Sequence, residues 1–249
     1  MLSNLDQSLL GQFISTTKQK ISSKSNKTGK VGLRSFLNRV MYTMTSYSNY
    51  ASTPQHVGLD FYRKKSSWSL IAELCPCDLE FVEYLKLLQA EKKTIFHFGT
   101  GSHHIVGLEN QKFTHPNQVI GITACAPEHQ TYIDLTLKDR DLAKNYTVIC
   151  KDIYTLNDQI LPMFDIISLF HLAEFYDPQQ KQYLHHDDAS LLDMFLSKLN
   201  PGGKLLFYTG SYAWEKTYQV VQIFEAQEIL EKVGEYKHLS IYQKKGVLT

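Results

Sequence analysis

The spacing of hydrophobic positions changes near residue 94. Before it, apolar side chains recur at about the 3.6-residue helical period. Leu2, Leu5, Leu9 and Phe13 form one such set, and a second helix is expected from Val31 to Thr43. Phe61, Trp68, Ile71 and Leu74 predict a helix over Leu59 to Leu74. Phe81, Val82, Leu85 and Leu88 predict another, with Asp78 placed to cap it. A Ser/Lys-rich linker over 18–30 and a polar, aromatic connector from Tyr42 to Ser52 lie between them. Residues 1–90 therefore read as an N-terminal helical extension, without a strong strand.

From Thr94 the rhythm is that of short apolar runs. Thr94 to Phe98, Gln118 to Thr123, Tyr146 to Cys150, Phe164 to Phe170 and Lys204 to Thr209 are five predicted strands. Helical spacing fills the gaps between the second and third and between the fourth and fifth. Leu191, Leu192, Phe195, Leu196 and Leu199 give the clearest helix, stopped by Asn200-Pro201-Gly202-Gly203. Towards the C-terminus, Ala226 to Val233 reads as a helix ending at Gly234, and His238 to Gln243 as a final strand. Tyr218 to Phe224 fits either a strand or the start of a longer helix. Apolar strands alternating with helices indicate an α/β domain over residues 91–249, with a parallel sheet covered on both faces.

Composition sets limits on this picture. Of 249 residues, 43% are hydrophobic and 20% charged, which excludes wholesale disorder. A formal net charge of +1 argues against nucleic acid as a partner. No run of about 18 apolar residues is present, so no membrane span is expected. The chain opens without a signal-peptide pattern, and its sparse cysteines suit a reducing compartment, so a cytoplasmic location is expected. The charge is uneven: Asp6 is the only acid before Asp60, against Lys18, Lys20, Lys24, Lys27, Lys30, Arg34 and Arg39. A targeting peptide would favour Arg over Lys, so a solvated linker between helices fits this stretch better.

The first predicted strand ends in His97-Phe98-Gly99-Thr100-Gly101. A strand followed by a Gly-containing turn and a helix lets backbone approach a ligand, with unpaired N–H groups at the helix start. In this context the sequence resembles the class I S-adenosylmethionine-dependent methyltransferases, over about 150 residues from Thr94 onward. Thr94 to His103 resembles their first-strand motif, Val119 to Thr123 their second strand, and Cys150-Lys151-Asp152-Ile153 the segment after the third. Phe164 to His171 resembles the fourth strand and Leu199 to Leu205 the turn into the fifth. The resemblance implies a Rossmann-like, doubly wound, mostly parallel sheet of about six or seven strands. It implies S-adenosylmethionine as cofactor, held by His97, Gly99, Thr100, Gly101, Thr123, Asp152, Ile153 and Phe170. Three positions depart from the family: His97 replaces an acid facing the cofactor's ammonium, His103 replaces the third Gly, and Thr123 replaces the acid that binds the ribose.

The resemblance implies methyl transfer to oxygen or nitrogen of a small molecule. His171 and Glu174, just after the fourth strand, are the expected catalytic pair, with His171 as general base. The departures leave two alternatives: a non-catalytic partner subunit of the same fold, or an enzyme that cleaves or rearranges the cofactor. A nicotinamide-dependent oxidoreductase fits less well, because no acid ends the second strand. His103-His104 and His185-His186-Asp187-Asp188 invite a metal, but adjacent side chains point apart, so none is expected and the Asp pair is read as a helix cap. Tyr47 and Tyr50 are candidates for a lid, and a homodimer contact is the alternative use of the extension.

Overall fold

The computed structural model describes residues 67–245. The helices expected over Leu2–Phe13 and Val31–Thr43, the linker and the Tyr47/Tyr50 lid lie outside these residues. Within the helix expected over Leu59 to Leu74, residues 67–71 are irregular and 72–74 form a turn, so its described part is not helical. The backbone here is held from outside the segment: Trp68 N–H donates to Glu128 Oε1 at 2.9 Å and Trp68 O accepts from Ser102 N at 2.8 Å. Those tertiary bonds replace the i→i−4 ladder that the apolar spacing suggested.

The elements follow in order: α1 (Cys77–Leu87), β1 (Thr94–Phe98), α2 (Ile105–Asn110), β2 (Gln118–Thr123), α3 (Ala126–Lys138), α4 (Leu142–Asn145), β3 (Tyr146–Cys150), β4 (Phe164–Ser168), α5 (Asp188–Ser197), β5 (Leu199–Tyr208), α6 (Trp214–Ala226), β6 (Leu230–Tyr236) and β7 (Leu239–Lys244). The sheet has seven strands in the order β3-β2-β1-β4-β5-β7-β6. Strands β1 to β5 pair in parallel, and β7 joins β5 antiparallel with β6 outside it. Strand order reverses between β1 and β4, the position where ligands bind in open α/β sheets.

Alternate residues of the central strands feed two cores. Phe96, Ile167 and Leu205 face α5 and α6, with Leu192, Phe195, Val221 and Phe224 packed on them. Ile95, Ile166 and Leu206 face the other way, against Phe81 and Leu85 of α1, Val106 of α2 and Leu142 of α4. This is the two-sided burial that makes parallel strands read as unbroken apolar runs. The helix over residues 77–87, assigned to the extension by the sequence, thus packs directly on the sheet, within the compact unit His56–Thr249. Phe81 is fully enclosed, stacked 5.9 Å from the His97 ring and edge-on to Phe170 at 5.5 Å.

The C-terminal third corrects one element and decides another. Residues 218–224 belong to helix α6. Residues 230–236 form β6, where a helix was expected over Ala226 to Val233. That strand is mostly exposed, and its pairing with β7 shifts register between Lys232 and Gly234, so pairing rather than its own apolar pattern fixes it. Asp187 caps α5 as expected, in a reciprocal capping box with Ser190. The four cysteines are unbridged, and no helix among the described residues is long and apolar enough to cross a membrane.

Phe81→Ala is expected to destabilise the domain by about 3–5 kcal/mol, read from the denaturant midpoint at unchanged slope. A loss below about 1 kcal/mol would mean that α1 is an appendage and not part of the core.

Candidate functional site

The site grows from the end of β1. Gly99 turns at φ 89° and Gly101 at φ 54°, in the left-handed region that glycine adopts without strain. A Cβ at Gly99 would lie 2.5 Å from the His171 ring, and one at Gly101 would lie 2.5 Å from His103. The turn therefore gives close approach, and in this structure two imidazoles use it. The helix after the turn, α2, has only six residues and starts from His104 in a left-handed conformation. His104 is buried; its Nε2–H donates to Glu128 O at 2.8 Å, and its Nδ1 accepts from Tyr146 O–H at 2.9 Å. Burial pushes this imidazole down to about 4, so it is neutral at pH 7. The open helix N-terminus expected after the Gly turn is thus replaced by a packed histidine.

Asp78 is the centre of the arrangement. It sits in the first turn of α1 with 4% exposure and makes no side-chain cap, contrary to the sequence expectation. Its Oδ1 lies 3.5 Å from His97 Nε2 and its Oδ2 lies 3.5 Å from His103 Nε2. His103 Nδ1 accepts from Ile105 N–H at 3.2 Å, which puts the His103 proton on Nε2, facing the carboxylate. His97 Nδ1 is 2.8 Å from Ser168 Oγ, its register partner on β4. Ser168 Oγ also donates to Phe96 O at 3.4 Å, and the other ring nitrogen of His97, Nε2, faces Asp78. Burial pushes the Asp78 carboxyl up, but the charges of His97, His103 and His171 outweigh it, and Asp78 titrates below the usual carboxylate range. It is an anion.

A second carboxylate stands at the end of β2. Glu128, in the first turn of α3, is 3% exposed and reaches back to Thr123. Thr123 O–H donates to Glu128 Oε2 at 2.5 Å, while Thr123 Oγ1 accepts from Cys125 N–H at 3.0 Å. Thr123 itself is therefore committed within the protein, and the acid at the end of β2 comes from the following helix. Burial pushes the Glu128 carboxyl up. Neither Asp78 nor Glu128 was singled out by sequence as a site residue. A signal existed: Asp78 is in phase with Phe81, Val82 and Leu85, and Glu128 with Tyr132 and Leu135, so each is an acid on its helix's inner face.

His171 and Glu174 are brought together as expected, on the loop after β4. His171 Nδ1 lies 3.2 Å from Glu174 Oε2, and Glu174 Oε1 accepts from Ser211 O–H at 2.6 Å. The loop is braced: Ala173, held at φ 65°, donates its N–H to Asp188 Oδ1 at 3.2 Å, and Leu172 O accepts from Thr217 O–H at 2.7 Å. Burial lowers the His171 proton affinity, but the Glu174 charge and hydrogen bond outweigh it and raise it to about 9. At neutral pH His171 is an imidazolium. To act as a general base, His171 would first have to give up this proton.

The remaining expected residues divide. Thr100 is 1% exposed beside the turn, and among the described residues its buried Oγ1 has no hydrogen-bond partner. Phe170 is 1% exposed and packs between Phe81 and Tyr208 as core. Asp152, at the end of β3, accepts Tyr154 N–H at 3.0 Å and starts a short 3-10 turn, in which Ile153 is buried in the core. Among the described residues no three His, Cys, Asp or Glu side chains are grouped to hold a metal; His185 and His186 both turn to Leu156 O.

This is the fold of the class I S-adenosylmethionine-dependent methyltransferases. The chain superposes on an S-adenosyl-L-methionine-dependent methyltransferase described from Methanococcus maripaludis with a TM-score of 0.51, at 12% identity, over 72% of this chain and 90% of that one. It superposes on magnesium protoporphyrin IX methyltransferase from Synechocystis PCC 6803, solved with its cofactor bound, with a TM-score of 0.50, at 8% identity, over 85% and 97%. No family model matches the chain, and no curated protein matches it by sequence. A third chain of this fold, from Clostridium thermocellum, is described as an rRNA methylase, with a TM-score of 0.46, at 14% identity, over 67% and 96%. That neighbour corrects the expectation of a small-molecule partner with nucleic acid excluded. The exclusion rested on whole-chain charge, which averages away the basic stretch before Asp60.

The charge on His171 is directly measurable. Its C–H resonances are expected to titrate near pH 9, and Glu174→Gln is expected to bring the midpoint back towards 6.5. Because the folded state binds this proton more tightly than the unfolded chain, the pair's stabilisation is complete below about pH 6.5. It is lost as pH rises through about 9. A wild-type midpoint at or below about 6.5 would contradict the assignment.

Proposed function

We propose that the chain is an S-adenosylmethionine-dependent methyltransferase whose cofactor lies across the carboxyl ends of β1, β2 and β4. The observation that carries this is the group of uncommitted polar atoms at the switch point. Among the described residues, Thr100 Oγ1 is buried without a hydrogen-bond partner, and the Asp78 carboxylate has no contact shorter than 3.5 Å. Buried polar atoms left in this way fit a ligand that brings its own donors and charges. When bound, the cofactor supplies an electrophilic methyl on a sulfonium centre. The chain's residues position and enclose it: Gly99 to Gly101 underlie the sulfonium and the 5′-carbon that bonds it to the ribose, Glu128 with Thr123 serves the ribose hydroxyls, and Asp152 with Ile153 serves the adenine end. Phe170 closes the floor through its contact with Phe81.

The acceptor atom is read as oxygen or nitrogen, carried by a small molecule, an RNA or a protein. At neutral pH the His171–Glu174 pair orients and balances charge, and proton removal from the acceptor falls to solvent or to the acceptor's own ionisation. Alignment in a dry pocket is then the main source of rate, as for other reactions whose reactants are held in line.

Calorimetry with S-adenosylmethionine and S-adenosylhomocysteine tests the proposal, followed by incubation with small-molecule, RNA and protein fractions and a labelled methyl group. Saturable binding of both ligands is expected, with S-adenosylhomocysteine as the product of turnover. No heat at high micromolar ligand would contradict it. Release of methylthioadenosine instead would identify a cofactor-cleaving enzyme.

A further inference from the structure

Cys75 and Cys77 are separated by one residue, and the fold brings their sulfurs together. Pro76 between them sits at φ −78° and ψ 0°, in the turn that opens α1. The proline ring fixes φ there, so the turn is built into the chain. The two Sγ atoms are 3.4 Å apart. Cys75 is half-buried and Cys77 is buried, both against the core that α1 makes with the sheet.

The two thiols are not equivalent. Cys77 has two acceptors in reach, Cys75 Sγ and, at 3.5 Å, Asp78 Oδ1. Its hydrogen bond to Cys75 holds the Cys75 thiol below the ordinary range; burial opposes this and the His171 charge adds to it. The shared hydrogen bond, burial and the Asp78 charge push the Cys77 thiol well up. One sulfur is thus a partly accessible nucleophile, and the other a proton-bearing thiol in contact with it. Cys125 differs, since burial pushes its thiol up to about 12.

We propose that Cys75 and Cys77 are a redox-active dithiol, closed to a disulfide by a hydroperoxide, whose state is read at the switch point through Asp78 and His171. The Cys75 thiolate attacks a peroxide oxygen. The O–O bond breaks, hydroxide leaves, and Cys75 becomes a sulfenic acid. The Cys77 sulfur then attacks the Cys75 sulfur; the S–O bond breaks, and the hydroxyl leaves with a proton as water. In sum the two thiols lose two electrons and two protons, and hydrogen peroxide gains them as two waters. A ring closed over one intervening residue is strained, and a strained disulfide is readily reduced. The bond is therefore a reversible modification and not a structural staple.

Closure reaches the site in two ways. The Cys77 proton that faces Asp78 Oδ1 is lost. Cys75 can no longer be an anion, and its charge is one of those that hold the His171 proton. The dithiol chemistry is independent of which ligand the site binds.

Mass spectrometry on the full chain tests this. The reduced chain is treated at pH 7 with one equivalent of hydrogen peroxide, and the remaining thiols are blocked with N-ethylmaleimide. The peptide carrying residues 75–77 is expected to lose two hydrogens and escape the label, while Cys125 and Cys150 still take it up. Dithiothreitol is expected to restore both thiols. Cys77→Ser is expected to stop at a dimedone-reactive sulfenic acid on Cys75. Cys75→Ser is expected to leave Cys77 reduced. In the oxidised wild-type chain the His171 C–H midpoint is expected to fall from about 9 towards its ordinary value, and to return on reduction. Preferential oxidation of Cys125 or Cys150 would overturn the proposal, as would sulfinic acid on Cys75 without a disulfide. A disulfide that leaves the His171 midpoint unchanged would overturn the link to the site. If Cys77→Ser does not fold, the wild-type masses and midpoint carry the test.

Discussion

Asp78 ties the sequence-distant parts of this molecule together. Its carboxylate, almost out of contact with water, is reached by His97 from β1 and His103 from the turn. To put it there, α1 must lie on the sheet, with Phe81 against His97 and Phe170. The Gly turn must also bend back far enough to bring His103 over it, which the left-handed Gly101 permits. Ser168 locks His97 across the β1–β4 pairing, so the anion is coupled to the strand junction where order reverses. Removing one partner of such a group leaves another buried and unpaired, the situation that costs most in a folded protein.

The same geometry changes what the unusual residues of the chain mean. His97 and Thr123 look, one position at a time, like two lost acids. In three dimensions each is touched by an acid from a neighbouring helix, Asp78 and Glu128. Each position therefore meets a carboxylate that its own side chain does not supply. Trp68 adds a backbone strap over the same edge, bonded to Glu128 and Ser102. Charge at the site is a matter of these few fixed groups. The chain's net charge of +1 says little about it or about the class of acceptor.

Much of the architecture was legible because period-2 and period-3.6 patterns are local properties. The five parallel strands, α5 with its Asp187 cap and the last strand all carry such patterns. Strand β6 does not: it is an exposed edge, and antiparallel pairing with β7 defines it. The turn at Gly99 and Gly101 was visible, as was the pairing of His171 with Glu174, because the members of each pair lie close along the chain. Asp78 was read as a helix cap because its partners lie 19 and 25 positions away, and no local rule reports a tertiary contact. The charge on His171 was illegible for a similar reason, since it depends on burial and on Ser211 holding Glu174 from beyond β5.

A crystal structure of the full chain with S-adenosylhomocysteine bound tests the central claim most directly. The account predicts the ligand across the carboxyl ends of β1, β2 and β4, over the Gly99–Gly101 turn, with a ribose hydroxyl about 2.7–3.2 Å from a Glu128 carboxylate oxygen. A ligand bound away from the Gly99–Gly101 turn and Glu128 would contradict it.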